Sequence, residues 1–249
     1  MTTPLAVTRL AHSCHLIEID GRRVLTDPWF TTKPTYYPGE RLAMSVADLP
    51  HLDAVLVTHE HYDHCDLAAL SGYADLDVPL ICPGTVPAEA RRHGFRRVIV
   101  LEAWEGTSVG GLDVTATPGE HVVHEVTFVI QRNGRSVYFG GDTLAVPTLA
   151  EIPTRLGQID LALLPTNGLC VRPLDDRQVV MDALQAAELV SAMRPKVAIP
   201  HHYAFTSGFL GDRTITKTDS DPRRFAEAAR RLAPASEVLL VATGVQVAL

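Results

Sequence analysis

Two mixed β-sheets covered by helices, in a single domain over residues 1–249, are what this sequence predicts. Short β-rich apolar runs crowd its first half. Helix-length segments are interleaved throughout, and no Gly/Ser linker or low-complexity tract divides the 249 residues. With 46% hydrophobic residues the chain can bury a core of the size such a domain needs.

The elements follow in order. "LAVTRL", "CHLIEI" and "RRVLTD" read as strands, with "DG" at 20–21 as a hairpin turn. "WFTTKPTYYPGERLAM" (29–44), rich in aromatics, Pro and Gly, reads as an exposed functional loop. "DAVLVTH" is a continuous apolar run, the pattern of a strand buried on both faces. "DLAALSGY" predicts a helix, "VPLIC" a strand, and "VPAEARRHG" a helix closed by Gly94. "RVIVLE", "LDVTATP", "VTFVIQ" and "SVYFGGD" are strands, the last two joined by a turn at "RNG" (132–134). "IDLALLP" is a strand and "DRQVVMDALQAAELVSAMR" one long helix. "KVAIP" is a strand, "DPRRFAEAARRLA" a helix with Pro222 near its start, and "EVLLVA" and "VQVAL" are closing strands.

Charge and cysteine content exclude several classes. With 22 Lys+Arg against 29 Asp+Glu, a net charge of −7 argues against a nucleic-acid surface, which needs clustered cations. The one dense basic stretch, "EARRHGFRR" (89–97), reads as the solvated end of a helix. Cys14, Cys65, Cys82 and Cys170 form no CxxC pair, which favours a reduced compartment. No apolar run reaches the ~18 residues of a membrane span, and the N-terminus lacks a secretory pattern. A cytoplasmic protein is expected. Its partner is expected to be a small-molecule substrate, with no nucleic acid and no membrane span, and homo-oligomerisation is left open.

The chemistry concentrates in "VTHEHYDHCD" (57–66), which places three histidines and two aspartates just after an apolar strand. His59 and His61 are two apart, so an extended backbone points both the same way. Asp63 and His64 then fall at the first turn of the next helix, where Asp63 would also serve as an N-cap. A strand end running into a helix offers ligand pairs in two directions, which suits two adjacent metals. The spacing is not the H-E-x-x-H of helical zinc proteases, since Asp63 occupies the last position. Three later strand ends carry more candidates: His121 in "TATPGEH", Asp142 in "YFGGDT", and His201 with His202 in "VAIPHHY". Together these residues have the His and carboxylate proportions of a dinuclear Zn, Mn or Fe site.

"THEHYDH", "TPGEH", "GGDT" and "IPHHY", in that order, resemble the metallo-β-lactamase superfamily, over nearly the whole chain. The resemblance implies a four-layer αββα sandwich, two mixed sheets flanked by helices, with the metals at one edge between the sheets. It implies His59, His61 and His121 around one metal. Asp63, His64 and His202 would hold the second, with Asp142 bridging. His121 is preferred over His124 because it lies seven residues before Phe128, as in the family's ligand loop and following strand. His124 is then an outer or solvent histidine. "PHHY" resembles the family's P-x-H-Y, which selects His202 and leaves His201 as an outer neighbour.

"HSCHLIEIDGRRVLTDPWF" is similar to the opening of the branch that contains L-ascorbate-6-phosphate lactonase and N-acyl-phosphatidylethanolamine phospholipase D. "LLPTNG" and "MDALQAAELVSAMRPKVAIPHHYAF" add similarity to the lactonase group, while the loops "GLCVRPLDD" and "TSGFLGDRTITKTDSD" match no pattern of it. His12 stands at a position typical of the branch and reads equally as a partner of a metal ligand or as a buried, satisfied histidine.

The resemblance implies two divalent ions, zinc or manganese with iron as a further option. Such ions acidify a shared water, and the hydroxide attacks an ester, lactone, amide or phosphoryl centre. Asp63 or Asp142 would handle protons. Lys33, Tyr36, Tyr37, Asn167, Arg172 and Tyr203 lie in loops beside the ligand motifs and are candidates for substrate contact. The leading expectation is a dinuclear hydrolase of a small ester, lactone or phosphorylated substrate. A phosphodiesterase or nuclease is the alternative enzyme, and a non-catalytic metal-binding protein the alternative class.

Overall fold

The computed structural model describes residues 5–32, 39–204 and 213–249. Strands β1 (Leu5–Ala11), β2 (Cys14–Ile19) and β3 (Arg22–Thr26) form an antiparallel meander. Its second turn, between β2 and β3, uses left-handed backbone at Asp20 and Gly21, as the "DG" pair predicts. β4 (Ala54–Leu56), β5 (Leu80–Cys82) and β6 (Val98–Val100) then add in parallel, and β17 (Gln246–Ala248) closes the far edge. The order is β17-β1-β2-β3-β4-β5-β6.

The second sheet repeats the plan. β7 (Gly106–Val109), β8 (Leu112–Pro118), β9 (Val126–Arg132) and β10 (Arg135–Phe139) are antiparallel. β11 (Leu161–Pro165), β14 (Val197–His201) and β16 (Glu237–Val238) follow in parallel. Both sheets have seven strands and are mixed.

Alternation along doubly buried strands sorts the side chains into three layers of packing. Ala54 and Leu56 of β4, Val137 and Phe139 of β10, and Leu161 and Leu163 of β11 meet between the sheets. Tyr138, Ala162 and Leu164 face the other way, onto α3 (Ile152–Leu156), α4 (Ala183–Met193) and α5 (Pro222–Leu232). On the first sheet, Val55 and Leu80 face α1 (Leu67–Leu70) and α2 (Pro87–Arg92). The result is the αββα sandwich. Among the described residues no helix is long and apolar enough to cross a membrane.

Four sequence expectations need correction. Trp29, placed in an exposed loop, is fully buried in a small cluster with Leu169, Val179 and Val180. The long helix expected from Asp176 begins only at Ala183. The preceding stretch is extended because Val179 N donates to the Leu169 carbonyl and Gly168 N to that of Met181. Asp182 then starts the helix with a capping box to Gln185. Asp63 is not an N-cap; that role belongs to Asp66, whose carboxylate accepts from Ala69 N. Of "EVLLVA" only Glu237–Val238 forms a strand. The sequence reading also missed a three-stranded sheet of β12 (Cys170–Val171), β13 (Arg177–Gln178) and β15 (Ile215–Thr216), which pairs segments distant in the chain.

Candidate metal centre

The metal-competent residues come from loops that follow β1, β4, β8, β10 and β14. Carboxyl ends of parallel strands are where such sheets present ligands. Here the two sheets are tied together directly, because Val126 N donates to the Thr58 carbonyl (3.1 Å).

One group comprises His59, His61 and His121, whose ring nitrogens converge. His61 Nδ1 lies 3.0 Å from His59 Nε2 and 3.2 Å from His121 Nε2. Nitrogens sharing one zinc at ~2.0–2.1 Å in tetrahedral geometry stand about 3.3 Å apart, so the spacing suits a metal. The outer nitrogens fix the tautomers. His121 Nδ1 donates to the Val179 carbonyl (2.7 Å), which leaves the Nε2 lone pair facing inward. His59 Nδ1 lies 2.9 Å from Thr58 Oγ1, which itself donates to Asp27, so the ring donates outward and its Nε2 also faces in.

A second group comprises His12, Asp63, His64 and His202. His64 Nδ1 donates to Asp27 Oδ2 (2.6 Å), which turns Nε2 toward Asp142 Oδ2 (3.2 Å) and Asp63 Oδ2 (3.4 Å). His202 Nε2 lies 2.9 Å from Asp142 Oδ2 and 3.8 Å from Asp63 Oδ2. Asp142 Oδ1 is buried with no hydrogen-bond partner, an acceptor that a cation would satisfy. Asp142 also acts electrostatically on His59 and His61, so its charge is felt in both groups. The donor set fits two divalent ions.

Backbone geometry delivers these side chains. Gly141 is left-handed (φ +52°), and a Cβ there would collide with Glu125 Oε1 and Thr58, so only glycine lets the turn present Asp142. His201 continues the alternation of Ile199 and faces the space between the sheets, where Ser13 Oγ lies 3.0 Å from its Nδ1. The chain then turns at His202 (φ +62°), which aims the second ring at Asp142. His12 (φ 53°) and Asp27 (φ 34°) share this uncommon conformation, so backbone strain gathers around the centre.

The electrostatics of the two groups differ. Burial, aided by His64, holds His59 down to about 3, and burial with His59 holds His61 at about 4. Both stay neutral near pH 7, ready as ligands. Burial opposes charge on His64 and His202 too. It is outweighed at His64 by Asp142, Asp63 and Asp27, and at His202 by Asp142, so both are raised. Asp63 and Asp142 are held well below the usual carboxylate range, against burial, by His64 at the first and by His202 and His64 at the second.

A raised histidine contributes stability to the metal-free fold that is full below the ordinary value of ~6.5 and is lost as pH rises through the folded value. A metal takes the proton's place, so metal affinity should rise with pH, by about tenfold per unit for each proton released. Zinc calorimetry in buffers of different ionisation enthalpy should show the release mainly in one of two equivalents. Equal proton counts for both would refute this division.

Residues 22–203 match the family described as Beta-lactamase superfamily domain. The chain belongs to the beta-lactamase superfamily. An uncharacterized protein of Mycobacterium tuberculosis is 32% identical over 217 residues, covering 80% of this chain and 58% of that protein. The chain thus spans a little over half the length of that relative. A UPF0173 metal-dependent hydrolase of Pelotomaculum thermopropionicum is 28% identical over 254 residues, covering 96% of this chain and 98% of its own. Among solved structures, an isothiocyanate hydrolase from Delia radicum gut bacteria superposes with TM-score 0.77 at 20% identity, covering 98% and 99% of the two chains. CmlA, a diiron β-hydroxylase from Streptomyces venezuelae, superposes with TM-score 0.74 at 20% identity, covering all of this chain and 55% of its own. At these identities the structural likeness shows the fold.

Within this superfamily member the remaining candidates separate. His124 turns outward to Glu102 Oε2 (2.7 Å). His12 is buried with Nε2 3.0 Å from Asp63 Oδ2; burial and His202 hold it near 3, so it is neutral and donates to that carboxylate. Asn167, expected to touch substrate, is buried and serves a turn, its Oδ1 accepting from Leu169 N (3.1 Å). Tyr203 packs under Arg9, 4.9 Å from guanidinium carbon to ring centre. Neither lines the cavity beside the metal centre, and nor does Arg172. Lys33, Tyr36 and Tyr37 lie outside the described residues.

The sequence reading missed Asp27 and Glu125. Asp27 accepts from His64, Thr58 N and Thr58 Oγ1, and its only signal was its place in "LTDP". Glu125 Oε1 accepts from Asp142 N (2.7 Å) and lies 3.4 Å from His59 Nδ1. Burial raises this carboxyl to about 7. A charged residue directly before the apolar run "VTFVI" was the signal for it.

Proposed function

We infer that the protein is a dinuclear metal-dependent hydrolase of a small-molecule ester or lactone. The observation that carries this reading is the pair of adjacent donor groups, with Asp142 beside both and a cavity opening directly onto His61, Asp63, His121 and Asp142. His59, His61 and His121 would hold one ion, and Asp63, His64 and His202 the other, with Asp142 between. Bound there, two divalent ions would make hydroxide available near neutral pH and polarise the carbonyl oxygen of the substrate. Zinc, manganese and iron all suit this nitrogen and oxygen donor set. The metal-dependent hydrolase named among the relatives supports the reaction class, and the resemblance of "HSCHLIEIDGRRVLTDPWF" to the opening of the lactonase branch supports a lactone.

The chain's own residues position and move protons. Asp27 and Thr58 lock the His64 and His59 rings, and the Val179 carbonyl locks His121. Asp63, steadied by His12, borders the cavity and is placed to carry a proton toward the leaving oxygen. In hydrolysis the water oxygen bonds to the acyl carbon and the bond to the leaving oxygen breaks. One water proton ends on that oxygen, and the other is lost as the acid ionises.

Mass spectrometric metal analysis of native protein, beside His61→Ala, tests the assignment. Near two equivalents of Zn, Mn or Fe, reduced in the variant, with turnover of esters or lactones, is the expected outcome. Trace metal that reloading does not raise, and that the substitution does not change, would remove the basis for it.

A further inference from the structure

The cavity over the metal centre encloses about 380 Å³, at the small end of ligand pockets, which run from roughly 300 to 1,000 Å³. Its floor is polar, with the two aspartates and two of the histidines. Its walls are Tyr62, Val122, Leu169, Val171, Val179 and Ile215. Leu169 and Val179 belong to the small buried cluster around Trp29, and Tyr62, Val171 and Ile215 pack against it. The three-stranded sheet of β12, β13 and β15 carries Val171 and Ile215 there. Val122 remains 38% exposed on the rim, an apolar side chain unburied by the protein itself.

Among the described residues the cavity is lined by no lysine or arginine, and its only charged side chains besides histidine are carboxylates. Among these described lining residues a phosphate or carboxylate on the substrate would find none of the cationic forks that bind such groups. Burial of apolar surface against the walls is what this shape rewards.

We propose that the substrate is a neutral ester or lactone whose apolar acyl portion fills this cavity, and not a phosphorylated sugar lactone. The proposal rests on the hydrolase reading for the bond that is cleaved; the apolar wall itself is independent of it. The acyl chain lies against Leu169, Val171, Val179 and Ile215, with the carbonyl directed to the floor.

The test uses full-length protein reconstituted with zinc or manganese and has two readouts. Calorimetry follows binding of linear alkyl hydroxamates from acetyl to octanoyl, and a parallel series ends in a carboxylate. Affinity in the neutral series should rise roughly fourfold per methylene until the cavity is full, with the carboxylate series weaker. Val171→Glu should flatten that rise, with thermal melting and metal content reporting whether the fold is intact. Turnover of neutral esters and lactones of the same lengths is the second readout, and kcat/KM should climb in parallel. A flat series, or tighter binding of the anionic one, overturns the apolar assignment even where esters are cleaved. Affinity that rises with chain length while no ester or lactone turns over upholds the cavity assignment and overturns the hydrolase reading, and with it the substrate class.

Discussion

Asp142→Asn is expected to lower kcat/KM by about 10³-fold, because a metal's stabilisation of transition-state charge is worth several kcal/mol. Metal stoichiometry should fall with it. The substitution keeps the shape of the side chain and leaves the backbone N–H of residue 142 on Glu125, so the fold should persist. What it removes is the charge that pairs with His64 and His202 and reaches His59 and His61. Circular dichroism checks the fold, and metal analysis with steady-state kinetics checks the rest. Two equivalents retained at full activity would show that Asp142 is not between the ions.

Asp27→Asn should weaken metal binding by roughly 10–100-fold, the usual cost of losing a partner that orients a ligand. Asp27 never reaches the cavity, yet it holds His64 Nδ1, Thr58 N and Thr58 Oγ1 at 2.6, 2.8 and 2.8 Å. An asparagine can accept only through its one oxygen and sets an N–H₂ against one of these donors. Each buried donor left unsatisfied costs about 1–3 kcal/mol, a large part of a typical total of about 5–15 kcal/mol. A fall in Tm should therefore accompany the weaker binding. Excess metal should restore part of the Tm, since a ligand that binds only the native state stabilises it. An unchanged metal affinity would mean that His64 needs no such anchor, or is no ligand.

The architecture was legible wherever apolar runs were short and nearly continuous. "LAVTRL", "CHLIEI", "VTFVIQ" and "LALLP" all form strands, because burial on both faces admits few alternatives to a sheet interior. Legibility failed where long-range backbone pairing overrode local preference. Residues 177–181 look helical in isolation, yet their pairing with 167–169 holds them extended. Trp29 looked like a loop aromatic until Leu169 and Val180, far along the chain, enclosed it.

The metal-competent residues show the same division. Their identity and order were readable, since few reasons other than metal binding put so many histidines and aspartates after buried strands. The sequence alone thus determined the two-sheet architecture and the candidate donors. Tertiary structure decided which ring nitrogen each histidine turns inward, and that Asp27 and Glu125 stand behind them. It also decided the apolar wall, assembled from residues between Tyr62 and Ile215. The physical reason is range. Periodicity and turn chemistry act over a few residues, whereas tautomers, charge balance and the shape of a cavity are set by groups that meet only when two sheets pack.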